Sequence, residues 1–102
     1  MSDYALTALA KTDIFQIWSY IAEHNENAAN RVEHTIYDAC AFLADSPLRG
    51  HLRPDLTPRP VRFWTITRYP NYMIVYRPDA MPLQIIAVLH GKRDIQRILR
   101  QR

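Results

Sequence analysis

The stretch best suited to chemistry is His90-Gly91-Lys92-Arg93-Asp94. A histidine at the end of an apolar run, a glycine bend and a Lys-Arg pair could set an imidazole and a guanidinium beside a phosphate, for proton transfer and charge stabilisation. The same residues also read as a strand end, a turn and the N-cap of a short helix, with Asp94 as the cap. Arg93 serves either reading. General acid–base work needs a second titratable partner, which the sequence does not place. A second group is Arg62 and Trp64 on one face of a strand, with Arg68 further along. Interleaved Arg and aromatic residues suit stacked bases or an acidic peptide. Alternatively, Arg62 lies over a Trp that the C-terminal helix covers. Arg49, Arg53 and Arg59 in a proline-rich loop are either solvated or the rim of a phosphate site.

The other reactive side chains read as structure. Cys40 falls on the apolar stripe of a helix and behaves as a small hydrophobe. As the one cysteine of 102 residues, it excludes a disulfide framework and a cysteine-based zinc site. His24, His34 and His51 lack metal-ligand spacing. Two glycines cannot build a phosphate-binding glycine loop. No metal and no cofactor is expected.

Elements must position these groups. Tyr4–Thr7 is extended, and Thr7 can cap a helix reaching His24, with Ala10, Ile14, Ile17/Trp18 and Ile21 on its apolar face. Asn25 or Asn27 then caps a second helix, from about Ala28 to Asp45, whose stripe is Val32, Ile36, Ala39/Cys40 and Leu43. So short a link makes an antiparallel hairpin. Ser46-Pro47 stops it, and residues 47–60 form a loop holding four Pro and three Arg. The period then switches to two over Val61–Arg68, Tyr72–Arg77 and Leu83–His90, an antiparallel meander. A short basic helix, Ile95–Arg100, follows. The fold class is α+β: an N-terminal antiparallel helical hairpin packed on a small antiparallel β-sheet (short N-terminal strand plus three-stranded meander), with a short C-terminal helix, all one domain over 1–102. Strict alternation puts Leu83, Ile85, Ala87 and Leu89 opposite Gln84, Ile86, Val88 and His90. Both sheet faces are apolar, the hairpin covers one, and the other is expected to stand half bare as a docking surface.

Charge is segregated. Residues 1–48 carry two basic and seven acidic side chains, whereas 49–102 carry eleven basic and three acidic. Eleven of the thirteen cations are Arg, suited to bidentate recognition of carboxylate or phosphate. The C-terminal half therefore calls for an acidic partner, nucleic acid or peptide. The opening MSDYALTALAKTD lacks the basic start and apolar core of a signal peptide. No apolar run approaches the ~18–20 residues of a membrane span. A cytoplasmic protein with no membrane partner is expected.

The ordered set Leu6-Thr-Ala-Leu-Ala10, Asp13-Ile-Phe-Gln-Ile-Trp18, Tyr20-Ile-Ala22, Ser46-Pro47 with Gly50, Val61-Arg62, Asn71-Tyr72-Met-Ile-Val-Tyr-Arg77 and His90-Gly-Lys-Arg-Asp94 resembles the ParE toxins of the RelE/ParE superfamily, the toxic half of type II toxin–antitoxin (plasmid stabilisation) modules. The resemblance implies one of two activities. RelE-like members cleave mRNA on the ribosome with a basic set. Of that set Arg93 matches, while the other positions fall on or near Met73, Trp64, Ile66 and Leu99. His90 would be the added proton-transfer group of a nuclease. ParE-like members lack the set and poison DNA gyrase by protein–protein contact. That activity is the leading expectation, with the nuclease and a non-toxic antitoxin-binding remnant as alternatives. The implied partner is a ParD-like antitoxin, whose acidic C-terminal segment wraps the toxin and whose own domain binds operator DNA, so that the toxin meets the operator only indirectly. The residues expected on the target face are Arg93, Lys92, Arg62, Tyr72, Arg97 and Arg100. Those expected under the antitoxin are Trp64, Ile66, Met73, Val75, Arg77 and Arg68.

Overall fold

The computed structural model describes residues 3–102. Its elements are β1 (Tyr4–Leu6), α1 (Ala8–Ala22), α2 (Glu26–Asp45), β2 (Arg62–Thr65), β3 (Tyr72–Arg77), β4 (Leu83–His90) and α3 (Ile95–Arg100). Each helix starts where a short polar side chain takes an otherwise orphan backbone N–H. Thr7 accepts from Ala10 N–H (3.1 Å), Asn25 from Ala28 N–H (3.0 Å) and Asp94 from Arg97 N–H (3.2 Å). Because Asn25 rather than Asn27 is the cap, α2 begins at Glu26. Trp18, half-buried on α1, donates its indole N–H to Asn30 on α2 (2.8 Å) and ties the hairpin together.

The four strands lie in the order β1-β4-β3-β2. β2, β3 and β4 form the expected antiparallel meander, and β1 joins β4 in parallel, from Tyr4↔Leu83 to Leu6↔Ile85. β2 is shorter than its apolar pattern. Val61 N–H bonds back to Arg59 O (2.8 Å), and a turn closes from Tyr69 N–H to Ile66 O (3.1 Å).

Strict alternation fails in β4. Val75 pairs with Ala87 but Tyr76 with Ile85, so Ile86 is an extra, bulged residue. The bulge reverses the parity of everything after it. Leu83, Ile85 and Val88 face the hairpin core with Ile14, Ile36, Leu43, Ile74 and Tyr76. Ile86, Ala87 and Leu89 face the other way, with Val61, Phe63 and Val75. Ala87 and Leu89 thus part company with Ile85.

The second face is not half bare. Ile95 and Leu99 of α3 pack on it, flanked by Leu56 from the proline-rich loop and by Met73 and Ile98. The chain closes its own sheet because β4 delivers α3 straight back across that face. Tyr76 fastens the loop from below. Its hydroxyl donates to Pro47 O (2.7 Å) and accepts from Gly50 N–H (2.8 Å). Gly50 has to be glycine here, since a Cβ would stand 2.5 Å from that hydroxyl oxygen.

Candidate functional site

The turn after β4 places three of the expected target-face residues together. Tyr72 and His90 are register partners on β3 and β4, and their rings meet edge to face at 5.3 Å. His90 Nδ1 accepts from Lys92 N–H (3.1 Å), and His90 O accepts from Arg93 N–H (3.0 Å). The turn thus occupies the Nδ1 lone pair. Arg93, exposed, borders a cleft of about 540 Å³ between α1 and the end of β4, together with Tyr20, Tyr72 and His90. Burial pushes the Tyr72 hydroxyl above its ordinary value, and the nearby Tyr20 adds to the rise. Lys92 is exposed beside them.

The remaining target-face candidates lie elsewhere. Arg62 stands opposite Tyr76, four residues from Tyr72 along β3, about 13 Å at strand rise. Its guanidinium donates to Gly50 O (2.7 Å) and Leu48 O (3.4 Å), holding the loop. Trp64 packs on Phe42 of α2 (ring centroids 5.5 Å), so it is α2 and not the C-terminal helix that covers this Trp. Arg97 and Arg100 are exposed on α3, across the sheet from Tyr72.

The residues expected under the antitoxin divide between the two faces. Trp64 and Ile66 belong to the hairpin side, Met73 and Val75 to the α3 side. Ile66 and Val75 are buried by their own chain, and Arg68 and Arg77 are exposed. The apolar surface that does reach solvent near Trp64 is Phe42 and Leu48, with the Arg49 guanidinium 5.7 Å over the Phe42 ring.

One constellation has no counterpart in the sequence reading. Asp13 on α1 is buried, and its carboxylate takes a bidentate pair of bonds from Arg102 (2.8 and 2.9 Å) and a third from Val88 N–H (3.0 Å). Arg102 Nη1 also donates to Ile86 O (2.8 Å). The pair therefore serves the backbone groups that the bulge and the early end of β1 leave without a strand partner. Among the described residues the other ion pair is the exposed Arg53–Asp55 (2.8 Å), in which Arg53 holds the Asp55 carboxyl below its ordinary value. No group of three His, Cys, Asp or Glu among them could hold a metal ion. Cys40 is buried, and burial pushes its thiol up to about 12. No helix is long and apolar enough to cross a membrane.

A helical hairpin on a four-stranded sheet, with aromatic and basic side chains gathered where β4 turns into α3, defines a small α+β protein. The fold is shared with a chain of the chromosomal ParDE toxin–antitoxin system from P. aeruginosa, at a TM-score of 0.72 and 22% identity, covering 88% of this chain and 96% of that one. A comparison with curated proteins finds no significant match. Residues 4–95 match the model of the ParE toxin of the type II toxin–antitoxin system parDE, and the chain belongs to that family.

Proposed function

We propose that this type II toxin acts by protein–protein contact on DNA gyrase in the cytoplasm, turns over no substrate, and is held inactive by a ParD-like antitoxin. One observation carries the reading: the positions that would hold a ribonuclease's basic set are hydrophobic and structural. Ile66 and Leu99 are interior, and Met73 and Trp64 are half-buried packing residues. Of the set Arg93 alone is an exposed cation. The lone pair His90 would need as a base is engaged by the turn at Lys92. Attack of a ribose hydroxyl on a phosphate demands charge neutralisation and proton transfer together, which one arginine does not supply.

In this reading Arg93, Lys92 and Tyr72 form the centre of the target face, and Arg97 and Arg100, across the sheet on α3, lie outside it. Arg62 is left to the loop. The antitoxin's apolar side chains meet the exposed edge at Trp64, Phe42 and Leu48, its acidic ones pair with Arg68 and Arg77, and Met73 is touched at the rim. A wrapping segment should bury more than the ~1,600 Å² of a standard interface, with its own ordering offsetting part of the gain. The test is a purified gyrase assay of supercoiling and cleavage-complex accumulation, with toxin alone and with antitoxin. Antitoxin-reversible loss of supercoiling with trapped cleavage complexes is expected. An inert gyrase assay with mRNA cleaved on translating ribosomes would establish the nuclease instead. Neither effect, with antitoxin binding intact, would mark a non-toxic remnant.

A further inference from the structure

A cleft of about 670 Å³ runs between α3 and the proline-rich loop, and its charged lining consists of Arg59, Arg100 and Arg102, with Gln96 beside them and no carboxylate. Arg102 is committed to Asp13. Arg59 is pinned: its Nη1 donates to Leu99 O (3.0 Å) and its backbone N–H to Thr57 Oγ1 (3.2 Å). That bond uses one of five guanidinium donors and holds the group at the end of α3. Leu56 and Gln96 also line a second cleft, of about 340 Å³, bordered by Arg53 and Arg93. The two make one furrow along α3. Its acid is Asp94, engaged in capping the helix, with Asp55 at the margin paired to Arg53. Among the described residues no carboxylate lies within 4.0 Å of Arg59, Arg93, Arg97 or Arg100.

Cations in the last turn of a helix suit its dipole, which alone would account for Arg97 and Arg100. It does not account for Arg59 and Arg93, which lie off the helix and line the same furrow. Arg97 and Arg100 lie about one turn apart on α3, and Arg93 stands just before its cap. Guanidinium groups in such a row grip phosphate oxygens bidentately.

We propose that the furrow between α3 and the 53–59 loop binds the phosphodiester backbone of DNA, with Arg59 and Arg100 closing on one phosphate and Arg93 and Arg97 reaching its neighbours. Such contacts fix position and read no bases. This role is independent of operator recognition, and it stands whether or not gyrase is the target, since it is measured without gyrase.

The experiment is fluorescence anisotropy of a labelled duplex of about 24 base pairs with the full chain, at three salt concentrations between ~50 and ~200 mM. Three neutralised phosphates predict a log–log salt slope of about −2.7, hence roughly a fortyfold loss of affinity over that range. R59Q and R100Q should each weaken two unrelated sequences equally, and the double variant, which frees their shared phosphate, should reduce the slope by about 1. Arg100 is exposed, so R100Q keeps the test open should R59Q fail to fold. Three results would overturn the proposal: affinity and slope unchanged in R100Q, a polyglutamate of equal charge displacing the duplex as well as unlabelled DNA does, or inorganic phosphate and mononucleotide shifting the Arg59 side-chain resonance while the duplex does not bind.

Discussion

Replacing Arg102 with Ala removes three charge-assisted hydrogen bonds at once, two to Asp13 and one to Ile86 O. The Asp13 carboxylate would keep Val88 N–H as its remaining partner, in a site where the two side chains are 9% and 11% exposed. Breaking a buried pair by removing one member costs about 3–5 kcal/mol, because the other charge is left in a poor solvent. The residual exposure favours the lower end, about 3 kcal/mol. A domain of this size holds about 5–15 kcal/mol in total, so the loss is a large share, and the melting temperature should fall by roughly 12–24 °C. R102K keeps the charge without the planar fork and should lie between wild type and R102A. The assay is urea unfolding followed by Trp fluorescence, extended to a D13N/R102Q double-mutant cycle. Each single variant should destabilise, and the coupling should exceed about 1.5 kcal/mol. The exposed Arg53–Asp55 pair is the internal control, and D55A should show no measurable change. An R102A chain within about 0.5 kcal/mol of wild type, or a strictly additive cycle, would refute the assignment of a structural role to this pair.

Three further outcomes are expected. Y76F should cost about 2 kcal/mol, since it strands the buried Gly50 N–H and frees Pro47 O. G50A should be at least as harmful, because its Cβ meets the Tyr76 hydroxyl, and both should speed tryptic cutting after Arg49, the loop arginine not followed by proline. Cys40 should resist thiol reagents at pH 8 in the native state and react at once in urea. Because its folded pKa, about 12, exceeds the ordinary 9.0, the unfolded chain sheds the proton first. Stability should therefore fall as pH rises from about 9 towards 12, and fall less steeply in C40A. R93A should relieve growth arrest on induction while antitoxin affinity stays within about twofold. Full toxicity with lost antitoxin binding would move Arg93 to the antitoxin interface.

The helices and their caps were legible because they are local: spacing of three and four, and an oxygen one turn from its N–H. The strands were legible for the same reason, since alternation is a two-residue property. The bulge at Ile86 was not, because Ile85 through Leu89 are all apolar, so a change of parity within them leaves apolar side chains on both faces. The cover over the second sheet face was misjudged because the short α3 offers only Ile95, Ile98 and Leu99, and the rest includes Leu56 from a segment with no period. Of the candidate site, the Tyr72–His90–Arg93 grouping followed from strand register. Asp13 and Arg102 are 89 positions apart on unlike elements, and no periodicity links them. Arg62 looked like a free cation because its acceptors are backbone carbonyls, which every residue carries.

The sheet ends in two short strands, β2 on one side and the three-residue β1 on the other. On the outer side of β2, Phe63 exchanges both backbone hydrogen bonds with His51 (2.8 and 2.9 Å), a single bridge supplied by the loop. On the outer side of β4, β1 stops at Leu6↔Ile85, and beyond it the next outward donor and acceptor, Val88 N–H and Ile86 O, are plugged by a carboxylate and a guanidinium. A strand extending the pairing along β4 past Leu6 would have to displace charged side chains before its own backbone could pair. The Asp13–Arg102 ion pair is thus also a stopper, closing the part of the β4 edge that the short β1 leaves open.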